Sequence, residues 1–358
     1  MSTAASQPLD QAKLHEFVMR AVGEMGAAMN TALIVIGDKL GLYKAMSGAG
    51  PMTSAELAKK TGTAERYVRE WLASQAAGGF VTYDAASGKY TLPPEQALAL
   101  ADETSPVFLP GFFEVVAACV KDEPKITDAF RSGKGVGWHE HDHGLFAGTE
   151  RFFRPNYRAH LIGEWIPALD GTEAKLKAGA KVADVGCGLG TSTILMAQAY
   201  PKSSFVGFDY HDGSIKMARE AAAKAGVGDR VKFEIAKAKG YPGNGFDFVA
   251  FFDCLHDMGD PEGAAKHVKE SMAQDGTWMI VEPFAHDKLE DNLNPIGRVY
   301  YAASTMLCTP ASLSQEVGLA LGAQAGEGRL SKILKAAGFS RVRRAAETPF
   351  NIVLEARA

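Results

Sequence analysis

The chain has 358 residues, of which 46% are hydrophobic and 22% charged, and its formal net charge is −4. That length exceeds an ordinary single domain and supplies apolar material for a sizeable core, so two folded units are expected. The mildly acidic balance provides no electrostatic drive toward nucleic acid or an anionic membrane.

The first segment, MSTAASQPLDQAKLHEF, has neither the basic start nor the continuous apolar core of a signal peptide. Leu14, Phe17, Val18, Ala21, Val22, Met25 and Met29 then recur at three- and four-residue steps, the stripe of an amphipathic helix. A second apolar run, 33–46, carries Gly41 and ends in the turn-rich SGAGP. The richest apolar stretch, 32–36, is far too short to span a bilayer. Thr53-Ser-Ala-Glu56 has capping-box spacing and opens the next helix. Gly62 and Thr63 turn into another over 64–77, with Tyr67, Val68, Trp71 and Leu72 on one face. Residues 80–92 form two alternating runs around Asp-Ala-Ala-Ser-Gly, the pattern of a β-hairpin. Helix, turn, helix, hairpin is the order of a winged-helix unit, assigned here to 1–100.

A helical bridge and lid is assigned to 101–175, interrupted by a glycine- and histidine-rich stretch at 132–148. Within it, Trp138-His139-Glu140-His141-Asp142-His143 would place alternate histidines on one face if extended. Three readings stay open: a metal pair, a substrate-facing lid, or an exposed polar loop. Phe146, Arg151, Phe152, Phe153, Arg154 and Tyr157 follow, either as a lid over a ligand or as core.

From Lys181 the pattern changes. Short apolar runs at 182–185, 205–208, 231–235, 246–252 and 277–281 alternate with helical stretches. This alternation means βαβ units and a mostly parallel sheet with helices on both faces. Runs at 342–345 and 351–356 would close the sheet with an antiparallel pair. The expected fold is therefore α/β: a Rossmann-like domain over 176–358, preceded by a mostly helical winged-helix domain. The cysteines, at 119, 187, 254 and 308, form no CxxC pair. Their spacing fits a reducing compartment, with the cytoplasm as the expected location, and argues against a disulfide framework or a structural zinc.

The run Val182-Ala-Asp184-Val-Gly186-Cys-Gly188-Leu-Gly190 joins the first strand of this sheet to a helix. Ligands of open parallel sheets bind beyond such strand ends, and glycine leaves them room. A dinucleotide fingerprint would be G-x-G-x-x-G with a pyrophosphate on the helix N-terminus. Here the spacing is G-x-G-x-G, and Asp184 stands two residues before it. A carboxylate there repels phosphate but suits the amino group and sulfonium of S-adenosylmethionine (SAM). Asp209 ends the second strand, where an acid can accept both ribose hydroxyls. The competing explanation is a glycine-rich turn of an unrelated α/β protein with Asp209 capping a helix, which does not require both acids.

VADVGCGLG, GFDYHDGSIKMARE and FFDCLHDMGDP, spread over 165–283, resemble the successive motifs of class I SAM-dependent methyltransferases. With the winged-helix start, the whole chain is similar to bacterial methyltransferases of that architecture, and more distantly to plant-type small-molecule O-methyltransferases. The resemblance implies that Asp184, Gly186, Gly188 and Gly190 hold the methionine end of SAM and that Asp209 and Tyr210 hold the ribose. Many relatives carry an acid after the third strand to meet the adenine amino group. This chain has Ile235-Ala-Lys-Ala-Lys-Gly240 instead, which leaves adenine to backbone groups and to Ala236 or Lys237. The resemblance also implies a homodimer formed through the N-terminal domain.

The fourth strand ends Phe251-Phe-Asp253-Cys-Leu-His256-Asp257 and the fifth ends Ile280-Val-Glu282. If these strands are neighbours, His256 oriented by Glu282 is suited to take a proton from a hydroxyl attacking the SAM methyl group. The resemblance assigns this histidine as general base; the alternative is a capping or packing residue. Asp253 is a further cofactor contact. Met258 follows where the plant enzymes usually have tryptophan. Transfer from SAM to an activated nucleophile is a positioning problem and calls for no metal. The insert 284–328 carries Tyr300, Tyr301, Met306, Leu307 and Cys308, either a wall for a small organic acceptor or packing beneath the insert. Two other functions compete. A SAM-sensing winged-helix regulator of DNA would need uncompensated cations, but 64–77 carries Arg66 and Arg69 against Glu65 and Glu70. A catalytically silent SAM-binding scaffold would have no use for His256 beside Glu282.

Overall fold

Asp10 starts the first helix, Gln11–Lys39: its carboxylate accepts from the backbone N–H groups of Ala12 and Lys13. This computed structural model describes residues 9–358, so the part of the signal-peptide reading that rests on the first eight lies outside the described residues. Chain contacts divide it into two units, Met1–Ala117 and Ala118–Ala358, with the helix Pro110–Ser132 running across the division.

In the first unit, Gly41 at φ +67° breaks the chain into a short helix, Leu42–Met46. The capping box forms as its spacing predicts. Thr53 Oγ1 accepts from Glu56 N at 3.2 Å, and the Glu56 carboxylate accepts from Thr53 N at 2.7 Å, opening Ser54–Thr61. The helix Glu65–Ala77 buries Val68, Trp71 and Leu72, whereas Tyr67, read on the same face, is exposed. Strands β1 (Thr82–Asp84) and β2 (Lys89–Thr91) make the hairpin, shorter than its sequence pattern, with Tyr83 opposite Tyr90. The core gathers Ile34, Tyr43, Leu57, Trp71 and Leu72. It encloses a satisfied polar chain in which Tyr43 Oη donates to Gln75 Oε1 at 2.7 Å and Gln75 Nε2 donates to Asn30 Oδ1 at 2.6 Å. Leu14, Phe17, Val18, Val22, Met25 and Met29 of the first helix remain exposed, so its amphipathic stripe packs on nothing within the described residues of this unit.

The second unit is built on a seven-stranded sheet: β3 (Lys181–Val185), β4 (Ser204–Asp209), β5 (Val231–Ile235), β6 (Phe246–Phe252), β7 (Met272–Pro283), β8 (Arg341–Glu347) and β9 (Asn351–Arg357). Their order is β5-β4-β3-β6-β7-β9-β8. β3 to β7 are parallel, while β9 runs antiparallel to both β7 and β8. Helices cover both faces, which is why the central strands read as near-continuous apolar runs rather than alternating ones. One face packs Leu176, Met196, Phe205 and Ile215; the other packs Val249, Ile280, Leu330 and Phe339. The chain leaves β3 toward β4 and β5, then crosses back to β6. The strand order therefore reverses between β3 and β6, the place where such sheets open a crevice.

Candidate active site

Beyond β3 the chain turns through Gly186, Gly188 and Gly190 at φ of +77°, +51° and +81°, left-handed values that cost an ordinary residue about 1–2 kcal/mol. Gly186 and Gly188 line a cavity of about 540 Å³. Gly190 does not. A Cβ there would lie 2.6 Å from Phe233 Cζ and 3.0 Å from the Ala218 Cβ. This glycine therefore lets the following helix approach the sheet, where the resemblance implied a ligand contact. Gly190→Ala should cost about 3 kcal/mol through strain and overpacking. For a unit of this size that lowers Tm by roughly 6–12 °C; an unchanged thermal melt would contradict the packing role.

Asp184 is fully buried under the loop and does not reach the cavity wall. Ser192 Oγ and Thr193 Oγ1 each donate to its Oδ2 at 2.6 Å, which ties the first turn of helix Thr191–Ala199 to the strand. Burial pushes its carboxyl up to about 6 against those two bonds. The sequence reading set this carboxylate at the methionine end of SAM; the structure holds it beneath the loop, bonded to Ser192 and Thr193. Asp209, at the end of β4, does line the cavity. Its Oδ2 accepts from Gly188 N at 3.0 Å and its Oδ1 from His211 N at 2.9 Å. Burial still raises its pKa. Tyr210, Ala236 and Lys237 stand in the same wall, and Ala236 N donates to Asp209 O at 3.0 Å.

β6 and β7 are neighbours, and their ends bring His256 and Glu282 together. Glu282 Oε2 lies 2.5 Å from His256 Nδ1, and Glu282 Oε1 accepts from Leu255 N at 2.9 Å. On the other side of the ring, Nε2 is 3.1 Å from Asp257 Oδ1. Trp138 Nε1 donates to Asp257 Oδ2 at 3.1 Å. Burial disfavours the imidazolium, but Asp257 and Glu282 outweigh it and hold the ring well above its usual pKa. Neither His256 nor Glu282 is in the cavity wall; Asp257 is. Asp253 is also in the wall, with φ +51°, a strained value for a non-glycine residue. It accepts from Tyr157 Oη and Asn351 Nδ2, each at 2.7 Å. Burial, then the nearby Glu282 charge, raises its carboxyl to about 7 despite those bonds.

The histidine-rich segment is not extended throughout: Trp138–Glu140 is a 3-10 turn, which interrupts the alternation that a shared face needs. His141 turns inward with Nδ1 2.9 Å from Asp122 Oδ2, whereas His139 reaches the cavity wall. Of the aromatic and basic residues that follow, Phe146, Phe153, Arg154 and Tyr157 line the cavity. Phe146 stacks on His211 with ring centroids 4.6 Å apart. His211, which caps helix Asp212–Lys224, was not legible as a site residue; its position directly after Asp209-Tyr210 was the available signal. Asn351 carried no signal at all, because only the antiparallel β9 brings it to Asp253. Cys308 of the insert is buried and lies beside His256 and Asp257. On helix Glu65–Ala77, Arg66 pairs with Glu70 at 2.5 Å and Arg69 with Glu65 at 2.7 Å. Both cations of this helix are thus already compensated.

Residues 176–338 match the sequence family described as a methyltransferase domain, and the α/β unit is a class I methyltransferase domain. Residues 28–102 match the Rv2258c-like winged HTH domain, so the chain carries a winged-helix domain ahead of a methyltransferase domain. It is 39% identical over 87 residues to the 27-O-demethylrifamycin SV methyltransferase of Amycolatopsis mediterranei, a match covering 24% of this chain and 32% of that relative. The chain spans 24–58% of the length of four such curated relatives. Among solved structures, the mitomycin 7-O-methyltransferase superposes with a TM-score of 0.71 at 19% identity, covering 98% of this chain and 100% of that one. An O-methyltransferase from neocarzinostatin biosynthesis, in complex with S-adenosylhomocysteine (SAH) and 1,4-dihydroxy-2-naphthoic acid, has a TM-score of 0.64 at 18% identity, covering 99% and 100%. At these identities the structures share the fold. No helix among the described residues is long and apolar enough to cross a membrane.

Proposed function

We propose that this chain transfers the methyl group of SAM to a hydroxyl oxygen of a small organic acceptor. The observation that carries the reading is one cavity that joins Gly186, Gly188 and the anchored carboxylate of Asp209 to Asp257, the outer member of the Asp257–His256–Glu282 chain. The methionine end of SAM would lie beside Gly186 and Gly188, of which Gly188 opens onto free space. Asp209 would accept from the ribose hydroxyls, with Tyr210 beside it and Ala236 and Lys237 toward adenine. The solved relative that holds SAH supports the choice of ligand.

In the transfer, the acceptor oxygen forms a bond to the methyl carbon while the carbon–sulfur bond breaks, its electron pair going to sulfur. The acceptor's proton passes to the buried chain. Two carboxylates around one imidazolium carry one net negative charge, so the three groups accept a proton as a unit. Asp257 faces the acceptor, His256 carries charge behind it, and Glu282 orients the ring. This extends the sequence reading, in which His256 alone met the acceptor. Incubating the protein with methyl-labelled SAM and a panel of phenols, naphthols and aliphatic alcohols tests it. Label should appear on an oxygen of at least one acceptor; transfer only to amines, or none, would overturn the hydroxyl reading.

A pH effect follows from the acids of the wall. Asp253 faces Tyr157, Asn351, Glu282 and His256, and its pKa of about 7 makes it neutral below and charged above that pH. SAM carries a sulfonium that SAH lacks. The attraction is present above pH 7 and lost as pH falls through it. Preference for SAM over SAH should therefore rise between pH 6 and 8, by up to about tenfold for one pKa unit of coupling. Equal pH profiles for the two ligands, measured calorimetrically, would remove Asp253 from the sulfonium's surroundings.

The paired arginines of Glu65–Ala77 give no support to a DNA-binding regulator. A second copy of the chain is the proposed partner for the uncovered apolar stripe of Gln11–Lys39, since a stripe this long is a typical interaction surface. The four unpaired cysteines fit the cytoplasm as its location.

A further inference from the structure

Cys308 ends a π-helical turn, Ser304–Cys308, a type of distortion that recurs at functional sites. The turn brings its thiol to His256 and Asp257, so that one donor atom from each of the three lies within 4.8 Å of the others. All three residues are buried. Asp257 Oδ1 is buried without a hydrogen-bond donor, although it sits 3.1 Å from His256 Nε2. A nitrogen, an oxygen and a sulfur donor in one small volume, with an oxygen left unsatisfied, describe a ligand set rather than packing.

We propose that His256 Nε2, Asp257 Oδ1 and Cys308 Sγ bind one divalent cation of the zinc class. The donor chemistry selects it: imidazole and thiolate favour zinc or its analogue cobalt over magnesium or calcium, which take oxygen shells. The 3.1 Å between Nε2 and Oδ1 matches two ligands on one zinc at bonds of about 2.0–2.2 Å. The supporting groups are in place. Glu282 holds Nδ1, which leaves Nε2 for the metal in the carboxylate–histidine–metal arrangement. Trp138 holds the second oxygen of Asp257, and Gln315 Nε2 donates to the Asp257 carbonyl at 2.9 Å. Asp257 lines the cavity, which places the three donors directly behind its wall. On binding, the Cys308 thiol proton and any proton on His256 Nε2 leave to solvent, and no atom changes oxidation state.

This site differs from the histidine cluster at 139–143 and does not depend on the methyl-transfer reading, because its readout is metal binding. Occupancy would take Nε2 and Oδ1 out of proton acceptance, so metal and transfer would compete. The test titrates cobalt(II) into chelator-treated full-length protein and follows the thiolate-to-cobalt absorption. One equivalent should produce the band in the wild type and in Cys119→Ser, and Cys308→Ser should lose it. A wild type without the band, or a Cys308→Ser protein that keeps it, overturns the proposal. Should Cys308→Ser fail to fold, zinc-edge X-ray absorption of the zinc-loaded wild type decides alone. One sulfur at about 2.3 Å with nitrogen and oxygen neighbours supports the site, and a shell without sulfur overturns it.

Discussion

Asp209→Ala should weaken SAM binding by at least about 100-fold, close to 2.7 kcal/mol, the worth of one or two hydrogen bonds to a charged group. Two losses combine. The ribose hydroxyls lose their acceptor, and the loop loses the clamp in which Gly188 N and His211 N both donate to the same carboxylate. Asp209→Asn keeps one acceptor oxygen and should fall between the wild type and alanine. A variant that binds SAM as the wild type does would take the ribose away from β4 and remove the cavity from consideration as the SAM site.

The second large effect falls on turnover alone. His256→Asn should lower kcat by about 10²–10⁴, the usual contribution of a positioned proton acceptor. Glu282→Gln should also lower kcat, since an amide orients the ring but no longer stabilises its charge. Neither side chain is in the cavity wall, so the SAM Kd should stay within about twofold, which separates proton handling from binding. A merely structural role would show the reverse, with Tm and Kd moving together and kcat preserved in the folded fraction. Single-turnover rates with saturating SAM read this split.

What was legible in the sequence was what is local. The capping box at Thr53–Glu56, the turn at 85–88 and the glycine loop each depend on residues within a few positions of one another. The alternation of apolar runs sufficed for the parallel sheet, and the closeness of 342–345 to 351–356 sufficed for its antiparallel end. His256 and Glu282 were paired correctly because consecutive strands of such a sheet are often adjacent. Orientation was not legible. Nothing in VADVGCGLG tells that Asp184 points under the loop to Ser192 and Thr193, or that Gly190 faces Phe233. Likewise, His-Asp in sequence does not reveal that the aspartate sits on Nε2 and stands between the ring and the cavity. Contacts from far along the chain, Trp138 to Asp257 and Asn351 to Asp253, left no mark in local pattern. The stripe of Gln11–Lys39 was read correctly as amphipathic, but amphipathicity cannot say whether the covering surface belongs to the same chain.

The most direct test of the account is calorimetric titration of SAM and of SAH into the purified full-length protein. One site per chain should bind both, with a Kd on the order of micromolar. Absence of heat for either ligand, with a thermal melt that neither one shifts, would contradict the SAM site on which the rest depends.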